Sequence, residues 1–272
     1  MRFLLLLAAA AVLSSACDVQ VGDKGLSLGI AEGKARDEWV RTYTLKAGGT
    51  LEIENVNGQI EATGASGSQI EVRAEREIRD HSTEAAEAQL RKIQMREEVS
   101  PDRVSIEALA PGDDGVLGHR AQLNVTYRVR VPADIAVVLK TENGGVRLDN
   151  LAGPVTASTT NGGINGQSLS GPVEADTTNG GVQLDFAAVR GDVKISTTNG
   201  GVRLQLPVDA KATIDATCIN GGIDVDEEFR LQKSESSRRR LTGALNGGGP
   251  RVATTTVNGE IRIRTRGPVR TD

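Results

Sequence analysis

The chain has 272 residues, 32 Lys and Arg against 36 Asp and Glu, a formal net charge of −4 at pH 7, and only one Trp, two Tyr and three Phe. That mild acidity leaves no electrostatic footprint for nucleic acid, which calls for phosphate-neutralising basic surface. The shortage of rings also removes the stacking platforms on which sugar and single-strand nucleic-acid sites usually rest.

Residues 1–16, MRFLLLLAAAAVLSSA, place Arg2 ahead of an apolar run from Phe3 to Leu13 and end on Ser14, Ser15 and Ala16. This is the pattern of a signal peptide, too short for a bilayer-spanning helix. Cys17 stands at the cleavage point and resembles the lipobox cysteine of bacterial lipoproteins. Leu13 lies four residues before it, where that motif prefers three, and Ser14 and Ala16 also suit ordinary signal peptidase. Lipidation of Cys17 would attach the chain to a membrane, firmly if several acyl chains are added. The expected localisation is therefore exported, in the bacterial cell envelope.

Residues 17–38 are expected to be a lipid-anchored tether, and residues 39–265 a single elongated β domain. Trp39, Val40, Tyr43 and Leu45 point to a first strand, residues 50–63 to a repeat unit, and Ile70-Glu71-Val72-Arg73 to another alternating strand. Over residues 82–95 the period changes: Ala86, Leu90 and Ile93 share a face at helical spacing, and Ser82 suits the N-cap. A short helix there would cover an open edge or end of the sheet, where unwanted pairing would otherwise start. Val104 to Glu107 and Leu123 to Val131 alternate as further strands.

From Thr141 to Val225 one phrase then returns five times: TENGGV, TTNGGI, TTNGGV, TTNGGV and CINGGI. Its asparagines, Asn143, Asn161, Asn179, Asn199 and Asn220, are 18, 18, 20 and 21 residues apart. Periods of this size mark stacked repeats. A shorter form of the phrase, with one glycine, surrounds Asn57 and Asn258. Counted back from each asparagine, apolar residues stand at six and four positions, as in Val137 and Leu139 or Val193 and Ile195. Counted forward they stand at three and five, as in Val182 and Leu184. Each half is a strand of period two, and the parity reverses across the Asn-Gly corner. Asparagine and glycine tolerate the positive φ that such a bend is expected to need.

Asn-Gly between short strands also signals an antiparallel hairpin, so a long meander is the competing topology. A meander gives no reason for residues 18 to 20 apart to match in every column, polar ones included. The fold expected is all-β, a β-solenoid of about 18–21 residues per rung with one short covering helix. Asn143, Asn161, Asn179, Asn199, Asn220 and Asn258 would then form a structural ladder, each amide bonding its neighbour about 4.8 Å away. Residues 226–250, with an acidic run and Arg238 to Arg240, break the pattern and are expected to be an inserted loop. Val252 to Ile263 supplies the last rung, and residues 266–272 a polar tail.

The T-x-N-G-G-[VI] phrase, the lead-in from Tyr127 to Pro132 and the passage from Asn246 to Ile261 resemble the candidate-adhesin domain family of bacterial envelope proteins. That family is a β-solenoid domain of unknown function related to the head domain of auto-transporter adhesins. The resemblance implies a cell-envelope location and a binding or structural part, and names no activity.

Catalytic inventory is thin. His81 and His119 have no partner placed by the repeat, and no zinc spacing, phosphate loop, dinucleotide fingerprint or nucleophile elbow occurs. Asp149 and Asp185 are outward carboxylates that an enzyme acting on envelope polysaccharide would have to use. The cluster Asp224, Asp226, Glu227 and Glu228 could hold a cation loosely, and it reads better as a solvated loop. Cys218 falls in the inward Thr column and reads as a small buried residue. The expectation is thus a non-catalytic module with no cofactor and no metal. Its partners would be a membrane reached through the lipid and an unknown protein or envelope polymer, not nucleic acid. A structural or assembly role in the envelope is the first alternative, and an enzyme acting on envelope polysaccharide the second.

Overall fold

The computed structural model describes residues 17–22, 25–30, 33–109, 122–229 and 231–266, with backbone alone before residue 33. The expected signal peptide, the side chain of Cys17, His119 and residues 267–272 of the tail lie outside the described residues. Where a tether was expected, β1 (Cys17–Gly22) and β2 (Gly25–Ile30) pair antiparallel as a separate two-stranded sheet. The glycines and charges there conceal a strand alternation in Val19, Val21, Leu26 and Leu28.

The body of the domain then begins with β3 (Gly33–Thr44), β4 (Thr50–Asn57), β5 (Ile60–Ala65) and β6 (Gln69–Asp80). Helix α1 (Thr83–Leu90) follows, and then β7 (Gln94–Val99), β8 (Arg103–Leu109) and β9 (Gln122–Pro132). The repeats supply β10 (Ala136–Asn143), β11 (Val146–Asp149), β12 (Val155–Asn161), β13 (Ile164–Leu169), β14 (Val173–Asn179) and β15 (Val182–Phe186). They continue with β16 (Val193–Asn199), β17 (Val202–Leu206), β18 (Ala212–Asn220) and β19 (Ile223–Val225). Last come β20 (Leu231–Ser236), β21 (Arg240–Leu245), β22 (Arg251–Asn258) and β23 (Ile261–Thr265).

These strands form two long sheets laid face to face. The first runs β20-β21-β18-β22-β16-β14-β12-β10-β4-β8-β7 and the second β19-β23-β17-β15-β13-β11-β5-β9-β6-β3. Every rung gives one strand to each sheet, and neighbouring rungs pair in parallel and in register, so Val137, Val155, Val173 and Val193 are successive partners. The fold is a β-solenoid. Parallel sheets usually bury both faces, whereas here only the inner faces meet, and the burial alternates along each strand accordingly. Val155, Val173 and Val193 are at most 3% exposed, and shutting away each such side chain contributes about 1.5–3 kcal/mol.

Stack order departs from chain order at both ends. The rung of β22 and β23 does not follow that of β18 and β19; it lies between them and β16 and β17. At the other end β8 pairs in parallel with β4, and β9 with β5, so they add an eighth layer that carries no Asn-Gly phrase. Antiparallel strands extend the stack: β6 and β3 beyond β9, β7 beyond β8, and β21 and β20 beyond β18, while β19 stays the edge of the second sheet. Residues 226–250, expected as a loop, therefore hold a capping hairpin.

Helix α1 is shorter than the expected span, because 94–99 turns into β7. Ser82 caps it, accepting from the amide of Ala85 at 3.1 Å. Its Ala86 and Leu90, with Ile93 just beyond, pack on Ala35 and Ile78 of the β3–β6 ribbon, forming a small second core at that end.

Candidate functional site: a polar groove beside the asparagine ladder

The corner of each rung is organised by three stacked columns. In the first, Asn143 donates from Nδ2 to Oδ1 of Asn57 at 2.9 Å, and Asn161, Asn179 and Asn199 each repeat this onto the asparagine before it at 2.8–2.9 Å. Asn258 then donates to Asn199, and Asn220 to Asn258, both at 2.8 Å. All six asparagines named from the sequence are thus in one ladder, with Asn57 as its seventh member. The same phrase around Asn57 was the signal for it. Aligned amide bonds of this kind polarise one another along the row.

The second column lies inside. Thr159, Thr177 and Thr197 donate from Oγ1 to the carbonyls of Gly144, Gly162 and Gly180 in the neighbouring rung at 2.8–2.9 Å. Thr141 and Thr256 do the same to Gly58 and Gly200. Cys218 occupies this column in the outermost rung, buried and unpaired with another cysteine, its thiol 3.9 Å from the carbonyl of Arg238.

The third column is glycine, and its reason differs from the one expected. Of the Asn-Gly corners only Gly58 has positive φ, at 120°. The first glycine is required by close approach: a Cβ on Gly144, Gly162, Gly180 or Gly200 would lie 1.9–2.0 Å from the neighbouring glycine carbonyl. No side chain fits there. The second glycine is different. A Cβ on Gly145, Gly163, Gly181 or Gly201 would meet a carbonyl at 3.2–3.3 Å, a tight contact that asks the neighbour to give by only a few tenths of an ångström. Two rungs place Gln59 and Glu260 at that position, so the backbone accepts a side chain there.

What the second glycines create is space. On the outer face of the second sheet Gly163, Gly181 and Gly201 floor a groove of about 490 Å³ walled by Asn165, Gln183, Arg203 and Arg262 and ended by Glu260. A second hollow of about 450 Å³ shares Asn165 and Gln183 and extends to Arg147 and Asp149. Arg262 is paired with Glu260 at 2.5 Å and Arg147 with Glu61 at 3.4 Å. Arg203, the strand partner of Arg262, has no carboxylate within ion-pair distance among the described residues. Two arginines side by side share the one acid at the groove's end, so the charged residues of its lining sum to one positive charge.

The other candidates are placed apart. Asp149 and Asp185 sit at equivalent outward positions two rungs apart, roughly 10 Å by strand spacing, with Gln167 in the rung between. Asp185 is held by Arg266 at 2.9 Å. His81 is exposed at the far end of the domain, its Nδ1 2.6 Å from Asp80. Asp224 and Asp226 are engaged by Arg264, and Asp226 and Glu228 accept from Thr265. Among the described residues no group of three or more His, Cys, Asp or Glu is placed to hold a metal ion, and no helix is long and apolar enough to cross a membrane.

With this geometry in view, one family profile matches the chain: Toastrack DUF4097, over residues 40–264. The chain belongs to the Toastrack DUF4097 family. No curated protein matches it. Among solved structures, the Toastrack chain is similar to a candidate cell-adhesion protein from Clostridium sporogenes ATCC 15579. Their identity is 14% and TM-score 0.47, over 85% of this chain and all of that one. Candidate adhesins from Bacteroides fragilis NCTC 9343 and Parabacteroides distasonis ATCC 8503 match at 11% and 10% identity, with TM-scores of 0.30 and 0.23. Each match covers 85% of this chain and 97% of the other.

Proposed function

We propose that this Toastrack chain is a non-catalytic, adhesin-like binding module of the bacterial cell envelope, exported by its first 16 residues and anchored through acylated Cys17. Its ligand is an extended, hydrogen-bonding, acid-bearing polymer of the envelope, laid along the groove of the second sheet. The observation that carries this reading is the second corner glycine: the backbone does not demand it, yet its absence of side chain opens the groove beside Arg203. Amides and guanidinium groups at one strand spacing suit a ligand with repeating polar groups, by many modest contacts rather than one deep pocket. The non-catalytic part of the reading is supported by the dispersal of Asp149, Asp185 and His81. A kinship with auto-transporter adhesin heads belongs to the same proposal.

The test fills the groove without disturbing the corner. Gly181→Gln places a side chain where Glu260 already has one after a first glycine that, like Gly180, is not at positive φ, and an unchanged circular-dichroism spectrum checks that the fold is retained while the floor is blocked. Retention of isolated acidic envelope polysaccharide by the immobilised domain is expected to fall at least tenfold in this variant and in Arg203→Ala. Unchanged retention in both defeats the groove. Anchoring is tested separately, since palmitate labelling must disappear in Cys17→Ala.

A further inference from the structure

The rung of β22 and β23 reaches its place out of turn. Both layers that enclose it, β16 with β17 and β18 with β19, come earlier in the chain. The first of these can stack on its predecessors without it; the second has no parallel neighbour until β22 and β23 enter the slot. Entry adds parallel pairing on both sides at once, from Val193 against Val252 to Asn220 against Asn258.

Charge marks this strand pair as a separable piece. Residues 251–266 carry Arg251, Arg262, Arg264 and Arg266 against a single Glu260, and the slot is lined with acids. Arg251 pairs with Asp215, and its amide donates to Asp192 at 2.8 Å. Arg264 pairs with Asp224 and Asp226, while Arg266, just past β23, reaches Asp185 on β15, one layer beyond the slot. Other rungs also pair across layers, through Lys140 with Glu52 and Glu54, Arg147 with Glu61 and Lys194 with Glu174, but none gathers four arginines, and Val155 to Gln183 contains no arginine or lysine.

The connection into the slot is built like a hinge. Between β21 and β22 the chain runs Asn246-Gly247-Gly248-Gly249-Pro250, with φ of 48°, 90° and 85° at its first three residues. Three successive left-handed residues reverse the chain so that β22 lies on the opposite side of β18 from β21. A short loop of this kind, opened to an extended form, carries the following segment away from its own slot and towards an identical one.

We propose that residues 251–266 are an exchangeable strand pair and that two copies of this chain swap them, each filling the acceptor slot of the other. Every contact of the closed chain is kept in the swapped pair except those of the 246–250 loop, so the exchange needs no new interface. A swapped dimer also presents two grooves on one assembly, which multiplies the hold on a repeating polymer when both engage it.

The test uses full-length chains in a Cys17→Ala, Cys218→Thr background, which removes both native thiols. Ser196→Cys is placed in one preparation and Thr255→Cys in another; the two positions are Cα partners on β16 and β22. Adjacent strands suit a disulfide, whose Cα atoms lie about 4.4–6.8 Å apart. Mixed at high protein concentration and raised salt, which weakens the arginine pairs, the preparations are expected to give a disulfide-linked heterodimer. Its yield should fall severalfold at low concentration and low salt. A double variant that closes the bond within one chain, with no heterodimer from the mixture at any concentration, overturns the proposal. Sedimentation of a chain lacking Gly247 and Gly248 gives a second reading. A dimer supports exchange, and a folded monomer rejects it.

Discussion

Between Val137 and Leu206 each rung lies on the one before it in the chain, while at both ends chain-distant segments become neighbours. The middle is held by repetition: the same valine, threonine, asparagine and glycine columns, with few charges. The ends are held by individual pairs. Lys34, Arg36 and Arg79 surround Glu77 at one end, and acids of other segments grip Arg251, Arg264 and Arg266 at the other. Repetition makes stacking favourable but leaves the partner open, since any rung fits any other. Loops and charges then choose.

The largest contrast is expected within a single corner of the middle region. Gly180→Ala drives a Cβ to 2.0 Å from the Gly162 carbonyl, and urea denaturation should show a loss of about 3 kcal/mol or more, the upper range for overpacking. Gly181→Ala, one residue on, should cost under about 1 kcal/mol. Equal losses would show that close approach between rungs is not what selects the first glycine.

Acid should separate the ends from the middle. Burial works against the Glu77 carboxylate, but hydrogen bonds from Lys34, Arg79 and Arg36 outweigh it and lower its pKa to about 2. A carboxylate lowered in the folded state stabilises above its unfolded value of about 4.3 and loses that contribution as pH falls towards 2. Trp39, the only tryptophan, lies on β3 next to this cluster's strand β6, with Arg41 stacked 5.0 Å from its ring. Its fluorescence should change between pH 4.5 and 2 at a lower urea concentration than the far-ultraviolet signal of the repeats. Coincident transitions at every pH would make the ends and middle one unit. Glu77→Gln should flatten the pH dependence.

A smaller effect tests whether the ladder is uniform. Asn179→Ala removes a donor and an acceptor between sequential rungs, and Asn258→Ala does so between rungs brought together out of order. Each should cost about 1 kcal/mol, the usual worth of a hydrogen bond with its partner left to solvent. A much larger loss for Asn258 would mean that the inserted rung depends on its asparagine more than the others do. Smallest of all, Cys218→Thr restores the column's hydroxyl where the neighbouring carbonyl belongs to Gly259. Thermal melting should show a gain of about 0.5 kcal/mol, and a loss would show that the outermost rung does not share the geometry of Thr256.

Much of this molecule is legible in its sequence. Period two with a parity change at Asn-Gly gave the two-strand rung, and the matching polar columns separated a solenoid from a meander. The ladder followed from the phrase itself. The eighth layer has no signal in the sequence, because β8 and β9 carry no Asn-Gly and a long connection lies between them. The slot arginines are marked only indirectly: Arg262 and Arg264 stand four and six residues after Asn258, while Asp224 and Asp226 stand at the same offsets after Asn220. Opposite charges at equal offsets were the available sign that these two rungs touch.

Strand period, inward faces and the asparagine row needed only the order of residues, because they arise from contacts that every rung makes in the same way. Which rung meets which, why the first corner glycine has no substitute, and where a groove opens depended on the assembled sheets. Those properties belong to particular pairs of segments far apart in the chain, and a repeat that looks alike at every turn carries no label for its neighbour.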